Sequence, residues 1–455
     1  MEHNNEDNAT VEKLYELYLS HPHICTDSRK VQKGDIFFAL RGENFDGNKF
    51  ALTALAQGAA AVVSDSEEVC LEYEKTKGRF SETERRFDKM KGRKNFFFCR
   101  DSLEMLQKLA AHHRKQLSTC IIGISGTNGK TTTKELIYAV LSSRFRTQAT
   151  QGNLNNHIGV PLTLLSISPQ TEVAIVEMGA NHVGEIAFLC QIAQPDMGIL
   201  TNIGTAHIEG FKTRENIIKT KKALFESVKQ GNSPKAHLFV NADEPALCTE
   251  DFDKKTTYSL NNPSEMKAET EPSCPYATIR IEGIRIQSQL IGSYNAYNIL
   301  AAYTIGRYFG IKKEEICQSI EQYKPSNQRS QILKTDKNTL ILDCYNANPS
   351  SCKAAIEALA NMKAEHKRVF MGAMRELGDV SEEEHRNCLE LMKSKNFEQI
   401  ALVGKEYKAF AGNDVPWFET SSELREYLFR HPCSDCLILI KGSRTTKMEI
   451  IEDVL

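Results

Sequence analysis

The chain has 455 residues, a formal net charge of −2 at pH 7, and a composition of 41% hydrophobic and 25% charged residues. This length exceeds what one hydrophobic core usually organises, so two to three domains are expected. The near-neutral charge excludes a bulk electrostatic attraction to nucleic acid or to an acidic membrane surface. We therefore expect no nucleic-acid partner.

The cysteines and the amino terminus indicate the cellular compartment. The first ten residues are polar and acidic, and no apolar run is long enough to span a bilayer. Thirteen cysteines, an odd number spread over the whole length, are typical of reduced thiols rather than of a disulfide framework. The single C-x-x-C pattern, at residues 433–436, is weak as a zinc signal without a second pair. We expect a cytoplasmic protein without membrane insertion.

The first hundred residues predict a small α/β domain, over residues 1–102. Short apolar strands are expected at 35–40 and 60–63, between glycine turns. Residues 67–94 are dense in Glu, Lys and Arg and form either a solvated helix or a flexible insertion.

A second domain is expected over residues 103–310, where apolar strands alternate with amphipathic helices. The predicted strands are 121–125, 173–178 and 197–203, and this alternation predicts a parallel sheet covered by helices on both faces. In such sheets ligands bind beyond the carboxyl ends of the strands, where Glu177, Thr201 and Asn202 fall. A strand-rich segment over 259–291 and a helix over 295–308 complete the domain.

A third domain is expected over residues 311–455, with strands at 339–343, 368–372, 399–404 and 437–442. Each strand ends at a Gly or Asp with polar residues close behind, which predicts a smaller doubly wound sheet. Two open sheets joined near Gly310 imply a cleft, and clefts of this kind commonly bind substrates.

The most informative segment follows the strand at 121–125. It consists of a glycine turn and the start of a helix: Gly126, Thr127, Asn128, Gly129, Lys130, Thr131 and Thr132. The backbone N–H groups and the positive helix end attract phosphates, Lys130 reaches the outer phosphates, and Thr131 offers a hydroxyl to Mg²⁺. The strict pattern G-x-x-x-x-G-K-[ST] fails because Ile124 occupies its first glycine position. A glycine turn without a ligand explains the glycines but not the Lys-Thr-Thr sequence, so nucleotide binding is predicted.

Three further groups of residues are open to two interpretations from the residues alone. Glu177 at a strand end is a candidate Mg²⁺ ligand, whereas His207 in a loop is more often a hydrogen-bonded surface group. The amide-rich segment 153–161 suits either a neutral polar ligand or turn capping. Lys221 lies on a predicted basic helix, 213–227, whose lysines are otherwise typical of a solvated face.

Taken in order along the chain, these segments resemble the ATP-dependent Mur ligases of peptidoglycan synthesis. The motifs that carry the resemblance lie at residues 26–29, 34–42, 126–132, 153–161, 177–181, 345–349 and 441–444. The glycine spacing that breaks the general phosphate-loop pattern is similar to the version found in this family.

The resemblance implies three α/β domains: an amino-terminal UDP-sugar domain, a central ATPase with a mostly parallel sheet, and a Rossmann-like carboxy-terminal domain. It implies a ligase in which ATP phosphorylates a peptide carboxylate and an amine attacks the acyl phosphate to form an amide. We expect the protein to be a monomer. The motifs at 345–349 and 153–161 favour UDP-N-acetylmuramoyl-tripeptide and D-alanyl-D-alanine as substrates.

The resemblance also assigns roles to individual residues. Thr131 and Glu177 are expected to hold a first Mg²⁺, His207 helps to hold a second, and Lys221, four residues before Phe225, carries a CO₂-derived carbamate toward that metal. With Lys130, residues Glu177, His207 and Lys221 form the expected catalytic set. The remaining expected nucleotide contacts are Asn295, Asn298, Arg329 and Asp343, and the expected substrate contacts are Ser28, Arg29, Leu40, Arg41, Gly42, Asn153, Asn155, Asn156, Tyr345, Asn346, Asn348, Lys441, Ser443 and Arg444.

Some positions depart from the family pattern, and two other functions share part of it. Gln328 precedes Arg329 where relatives often carry Gly, Asn48 occupies a position that is commonly His, and Arg375 interrupts the usual acidic loop. A ligase for another amino acid, of the Mur or folylpolyglutamate type, would share the phosphate loop, Glu177, His207 and Lys221. A regulatory protein that uses ATP only as a switch would share the loop but form no amide.

Overall fold

The computed structural model describes residues 2–76, 95–204, 208–248, 251–271, 276–325, 328–409, 411–412 and 414–455. His207 and most of the charged segment predicted at 67–94 lie outside the described residues, although the helix Glu67–Thr76 begins that segment. The predicted α/β class is confirmed. The chain divides into two compact units, Met1–Gly123 with Arg146–Met178 and Ala187–Asp196, and Ile124–Phe145 with Gly179–Ile186 and Met197–Leu455.

Two helices were predicted with bounds from the sequence, at 213–227 and 295–308, and both are present. Helix Asn295–Tyr308 has the predicted bounds, and helix Arg214–Gln230 extends the prediction by one turn after a Thr213 cap. None of the described helices is long and apolar enough to cross a membrane. The other α-helices are Glu2–Ser20, Ala51–Ala56, Glu67–Thr76, Ser102–Gln116, Lys130–Leu141, Gly159–Leu165, Glu185–Ala193, Ile208–Phe211, Lys313–Gln322, Pro349–Asn361, Ser381–Lys393 and Ser421–Arg430.

The first unit contains the amino-terminal sheet, whose four parallel strands are Ile24–Cys25, Ile36–Phe38, Ala61–Ser64 and Phe96–Phe98. Its core includes Phe37, Val62 and Phe96, each buried. A small hairpin, Arg41–Gly42 with Phe45–Asp46, follows the second strand. In the same unit, Thr147–Ala149 pairs in parallel with Val173–Glu177.

A seven-stranded sheet carries the central segments. The predicted strand at 197–203 ends at Leu200, because residues 201–204 hydrogen bond to the loop at 126–128 instead of continuing the strand. The strand order is Met266–Lys267, Lys255–Ser259, His237–Asn241, Met197–Leu200, Cys120–Ser125, Val173–Glu177 and Thr147–Ala149. A separate antiparallel sheet of Glu269–Thr270, Tyr276–Ile281 and Ile284–Ile291 accounts for the strand-rich segment predicted at 259–291.

The carboxy-terminal sheet has six strands in the order Gln331–Lys334, Thr339–Asp343, Cys436–Lys441, His366–Gly372, Gln399–Val403 and Trp417–Phe418. The first pair is antiparallel and the other pairs are parallel. Successive residues of a strand point to opposite faces, so Val369 lies in one hydrophobic cluster and Phe370 in another. Helices cover both faces, and the carboxyl ends of the parallel strands meet at one edge.

Candidate nucleotide site

The phosphate loop, residues 126–132, connects a fully buried strand to helix Lys130–Leu141. Gly126 and Gly129 have φ values of 142° and 79°, and no side chain caps the helix after Gly129. A Cβ atom on Gly126 would lie 2.0 Å from Thr201 Oγ1, and one on Gly129 would lie 2.6 Å from Asn298 Oδ1. Both glycines are therefore required by backbone angle and by space.

We expect Gly126→Ala to lower the free energy of unfolding by about 2 kcal/mol or more, because the added methyl group collides with Thr201 in a packed region. Gly184→Ala is the matched control, since Gly184 also has a positive φ, 91°, but nothing lies within 4 Å of its Cβ position. That control should cost about 1 kcal/mol from backbone strain alone. Chemical denaturation measures both variants, and equal losses would contradict a steric requirement at Gly126.

Two lysines converge on the loop. Lys130 Nζ donates to the carbonyl oxygens of Gly126 and Thr127 at 2.8 and 2.9 Å. Lys221, which is 3% exposed, donates from Nζ to the same Gly126 oxygen at 3.0 Å. Burial, together with the neighbouring Lys130 charge, lowers the pKa of Lys221 to about 7. A negative group placed at this point is stabilised by the Lys130 ammonium group, and by Lys221 only while that side chain is protonated.

Residues 201–204 hold the backbone of the loop. Asn128 O accepts from Thr201 Oγ1 at 2.6 Å and from Asn202 Nδ2 at 3.0 Å, and Asn128 N donates to Asn202 Oδ1 at 3.0 Å. Thr127 exchanges hydrogen bonds with Gly204 through its hydroxyl group. These contacts satisfy the polar backbone of an irregular segment and fix its shape before a ligand binds.

Asn295 and Asn298 lie beneath the loop and are 3% and 6% exposed. Asn298 Oδ1 accepts from Thr133 Oγ1 at 2.9 Å, and Asn298 Nδ2 donates to Asn295 Oδ1 at 2.8 Å. Asn295 Nδ2 in turn donates to Ile291 O at 2.7 Å. In the structure these amides support the loop, and their expected contact with adenine stays a prediction.

The carboxy-terminal strand ends bring together residues that the sequence separates by about a hundred positions. Lys441 Nζ donates to Asp343 Oδ2 at 2.6 Å and to Asn346 O at 3.1 Å. Burial by itself would lower the pKa of Lys441, but the Asp343 carboxylate outweighs burial and raises it. Ser330 N also donates to Asp343, at 3.2 Å. We call residues 343–346 and 441–444 the strand-end cluster.

An aromatic ring gathers two positive charges at this cluster. The Arg329 guanidinium lies 3.7 Å from the centroid of the Tyr345 ring, and the Arg444 guanidinium lies 5.7 Å from it. Both distances allow cation–π attraction. Ser443 is buried, and its hydroxyl group lies 3.2 Å from Thr445 Oγ1. Two guanidinium groups at one ring suit the recognition of phosphate or carboxylate oxygens.

In the first unit, Glu177 ends its strand and is only 1% exposed. Its Oε1 accepts from Asn155 Nδ2 at 2.8 Å, and its backbone N donates to Thr150 Oγ1 at 2.9 Å. Asn156 caps the turn that precedes helix Gly159–Leu165, because its side-chain oxygen accepts from the N–H groups of residues 158 and 159, whereas Asn153 is exposed. Within the amide-rich segment, Asn155 thus orients Glu177, and the capping interpretation holds for Asn156.

Among the residues expected to contact the UDP-sugar, the two arginines are exposed and Leu40 is buried. Arg29 and Arg41 are exposed and form ion pairs with Asp27 and Asp65, both at 2.8 Å. Asn48, at the position that is commonly His, is buried and donates from Nδ2 to the same Asp65 at 2.8 Å. Leu40 and Gly42 border the hairpin and Ser28 is half-buried. Their role in substrate binding stays a prediction.

The side chains near the phosphate loop and Glu177 include oxygen donors of the kind that Mg²⁺ takes. Over the described ranges, which omit residues 205–207, no group of three or more His, Cys, Asp or Glu side chains converges as a metal site. Mg²⁺ in nucleotide sites is commonly held by one or two carboxylates plus phosphate oxygens and water. A buried carboxylate oriented by Asn155, as in Glu177, fits that donor type, so the residues present are compatible with the ion.

Sequence reasoning missed several supporting residues. The hydroxyl group of each hydrogen bonds to a predicted site residue: Thr150 to Glu177, Thr133 to Asn298 and Ser350 to Asn128. No sequence motif marked Thr150 or Thr133. A signal for Ser350 existed, because Asn-Pro-Ser-Ser at 348–351 is typical of a capped helix start. The sequence did not show its partner, Asn128, which is 222 residues away.

Comparison with known families defines the class of protein. Three family models match successive segments: "Mur ligase family, catalytic domain" at residues 22–114, "Mur ligase middle domain" at 124–306, and "Mur ligase, glutamate ligase domain" at 328–444. The chain belongs to the Mur ligase family, as its motifs predicted.

Individual relatives are more specific. The chain is 32% identical over 446 residues to the UDP-N-acetylmuramoyl-tripeptide–D-alanyl-D-alanine ligase of Bacillus subtilis, covering 95% of this chain and 93% of the relative. Among solved structures, MurF from Acinetobacter baumannii aligns with a TM-score of 0.78 at 27% identity, over 95% of this chain and 92% of the other. MurF ligase from Thermotoga maritima in complex with ADP aligns with a TM-score of 0.78 at 25% identity, over 95% and 96% of the two chains.

Proposed function

We propose that the protein is an ATP-dependent ligase that joins D-alanyl-D-alanine to UDP-N-acetylmuramoyl-tripeptide and releases ADP and phosphate. The convergence of Lys130 and Lys221 on the Gly126 carbonyl oxygen is the observation that carries the proposal. Lys130 places a positive charge at an uncapped helix start, which is where a triphosphate is bound in phosphate loops, and Lys221 lies beside it. The similarity to curated ligases of this name supports the choice of substrates.

The chemistry explains why ATP is needed. A carboxylate at neutral pH is a poor electrophile, since a nucleophile would have to expel an oxide. Transfer of the γ-phosphoryl group to the terminal carboxylate of the tripeptide gives an acyl phosphate and ADP. The dipeptide amine then attacks the carbonyl carbon, phosphate leaves, and the amine loses a proton as the amide forms.

The residues of this chain serve that reaction by positioning and by charge neutralisation. Lys130 stabilises the charge that develops on the transferred phosphoryl group, and Thr127 and Asn128 keep the loop in shape through residues 201–204. Mg²⁺ supplies further charge neutralisation when bound. The family resemblance assigns to it the hydroxyl oxygen of Thr131 and the carboxylate oxygen of Glu177, and both are the hard oxygen ligands that Mg²⁺ would take.

The proposal also includes a carbamate on the side-chain amine of Lys221. The lysine is buried, lies beside another cation, and is placed four residues before Phe225 as in the family motif. A neutral lysine amine adds CO₂ and loses a proton, which gives a carbamate. This change replaces a positive charge by an anionic oxygen ligand, which suits a second Mg²⁺.

The strand-end cluster is the proposed place of the incoming dipeptide and of the nucleotide contact through Arg329. Lys441 is held by Asp343 and Asn346, and its ammonium group therefore orders the segment that carries Tyr345. Tyr345 in turn gathers Arg329 and Arg444. Their guanidinium groups match the anionic oxygens of a carboxylate or a phosphate.

The test is phosphate release from ATP with UDP-N-acetylmuramoyl-tripeptide, in the presence and absence of D-alanyl-D-alanine. We expect sustained release only with all three substrates, together with a product whose mass is that of UDP-N-acetylmuramoyl-pentapeptide. Assays in which free glutamate or folate replaces a peptide substrate are the control for the activity of a related ligase. Release that ignores both peptide substrates would indicate an ATP-dependent switch instead.

A further inference from the structure

The phosphate loop is joined to the start of helix Pro349–Asn361 by a closed ring of hydrogen bonds. Asn128 Oδ1 accepts from Asn348 Nδ2 at 2.8 Å, and Asn128 Nδ2 donates to Ser350 Oγ at 2.8 Å. Ser350 Oγ donates its one hydrogen to Asn348 Oδ1 at 3.0 Å. We call these three residues the asparagine latch.

Both ends of the latch are fixed. The Asn128 backbone is held by Thr201 and Asn202, which accounts for its N–H and its carbonyl group. Asn348 is the cap of its helix and forms a reciprocal capping box with Ser351. A displacement of the loop is therefore transmitted to the helix start rather than absorbed by a loose side chain.

The helix start leads directly to the strand-end cluster. Asn348 lies two residues after Asn346, whose carbonyl oxygen accepts from Lys441, and Lys441 is paired with Asp343. A continuous set of contacts thus runs from the phosphate loop to the residues proposed to meet the second substrate. Sites connected in this way are coupled when a ligand at one favours an arrangement that the other requires.

We propose that Asn128 and Ser350 are positioning residues that couple nucleotide binding at the phosphate loop to dipeptide binding at the strand-end cluster. This inference rests on the proposed function. The side chains act through the backbone of the loop and through the helix start. By reciprocity, breaking the latch from either end reduces the effect that each ligand has on the binding of the other.

The first test uses steady-state ligation kinetics of Asn128→Ala, Ser350→Ala and the double variant. Ser350→Ala is expected to raise the KM for ATP about fivefold, which is the effect of one neutral hydrogen bond, although Ser350 does not belong to the phosphate loop. Asn128→Ala is expected to raise the KM for D-alanyl-D-alanine by a similar factor. The double variant should be no worse than the more affected single variant, because both substitutions break the same ring.

Two further variants separate coupling from loosening of the helix. Ser351→Ala removes the capping-box partner from the same turn but leaves the bonds to Asn128 intact, and its KM for ATP should stay near that of the unmodified protein. Ser350→Thr keeps the hydroxyl group and should restore the KM for ATP. Additive effects in the double variant, or an equal effect of Ser351→Ala, would overturn the latch.

A binding measurement keeps the latch testable apart from the ligase reaction. In calorimetric titration with ADP and Mg²⁺ in the presence of D-alanyl-D-alanine, Ser350→Ala should bind ADP about fivefold more weakly than the unmodified protein, and Ser351→Ala should not. Unchanged ADP affinity in Ser350→Ala refutes the coupling. Absence of ligation in the unmodified protein refutes the proposed function instead, so the two failures are distinguishable.

Discussion

Replacement of Lys130 by alanine is expected to reduce substrate-dependent phosphate release by about 10²- to 10³-fold. Lys130 is the loop residue whose ammonium group reaches the Gly126 carbonyl oxygen, and it is the cation that the proposal places on the transferred phosphoryl group. Charge stabilisation that matters more in the transition state than in the bound substrate affects kcat more than KM. Initial rates at saturating ATP measure this effect directly.

Two controls accompany Lys130→Ala: its thermal stability, and the reaction rate of Lys130→Arg, which keeps a positive charge at this position. Thermal unfolding should remain close to that of the unmodified protein, because Lys130 is half-buried and its bonds are to backbone carbonyls of its own loop. Lys130→Arg keeps the positive charge but not the compact ammonium geometry, and we expect intermediate rates. If Lys130→Ala turns over at an undiminished rate, the loop lysine has no part in phosphoryl transfer.

Lys221→Ala is expected to lose about 100-fold in ligation rate, and short carboxylates such as acetate are expected to restore part of it. The side chain is buried and bonded to the loop, so its removal leaves a space in which a carboxylate can replace the proposed carbamate oxygen. Rescue by an anion distinguishes a carbamate from a lysine that acts as a cation. The measurement is the rate as a function of acetate concentration.

Lys219→Ala is the matched control, because Lys219 lies on the same helix, two residues earlier, and is exposed. Its rate should change little, and acetate should not increase it. Removal of CO₂ from the buffer should slow the unmodified protein and leave Lys221→Ala with acetate unaffected. Rescue of Lys221→Ala by methylamine rather than acetate would contradict the carbamate and support an ammonium group.

Much of the architecture was accessible from local patterns. Alternation of apolar residues identified the strands that end at Ser125 and Asp343, and it identified helix Asn295–Tyr308 with its observed bounds. The type and position of these elements follow from the pattern of apolar residues within each segment, because each segment buries one or both of its own faces. The predicted end at Ile203 was wrong, because hydrogen bonds from residues 201–204 to the phosphate loop stop the strand at Leu200.

The sequence by itself determined the kind of loop, its lysine, and the family, because these depend on residue identity at fixed short spacings. Only the tertiary structure decided that Asn155 orients Glu177, that Lys221 is buried against Gly126, and that Asn295 and Asn298 support the loop from below. It also joined Asn128 to Asn348, 220 residues apart. Contacts of this kind arise from the packing of separate elements. A single sequence does not show which distant polar groups form hydrogen bonds with one another.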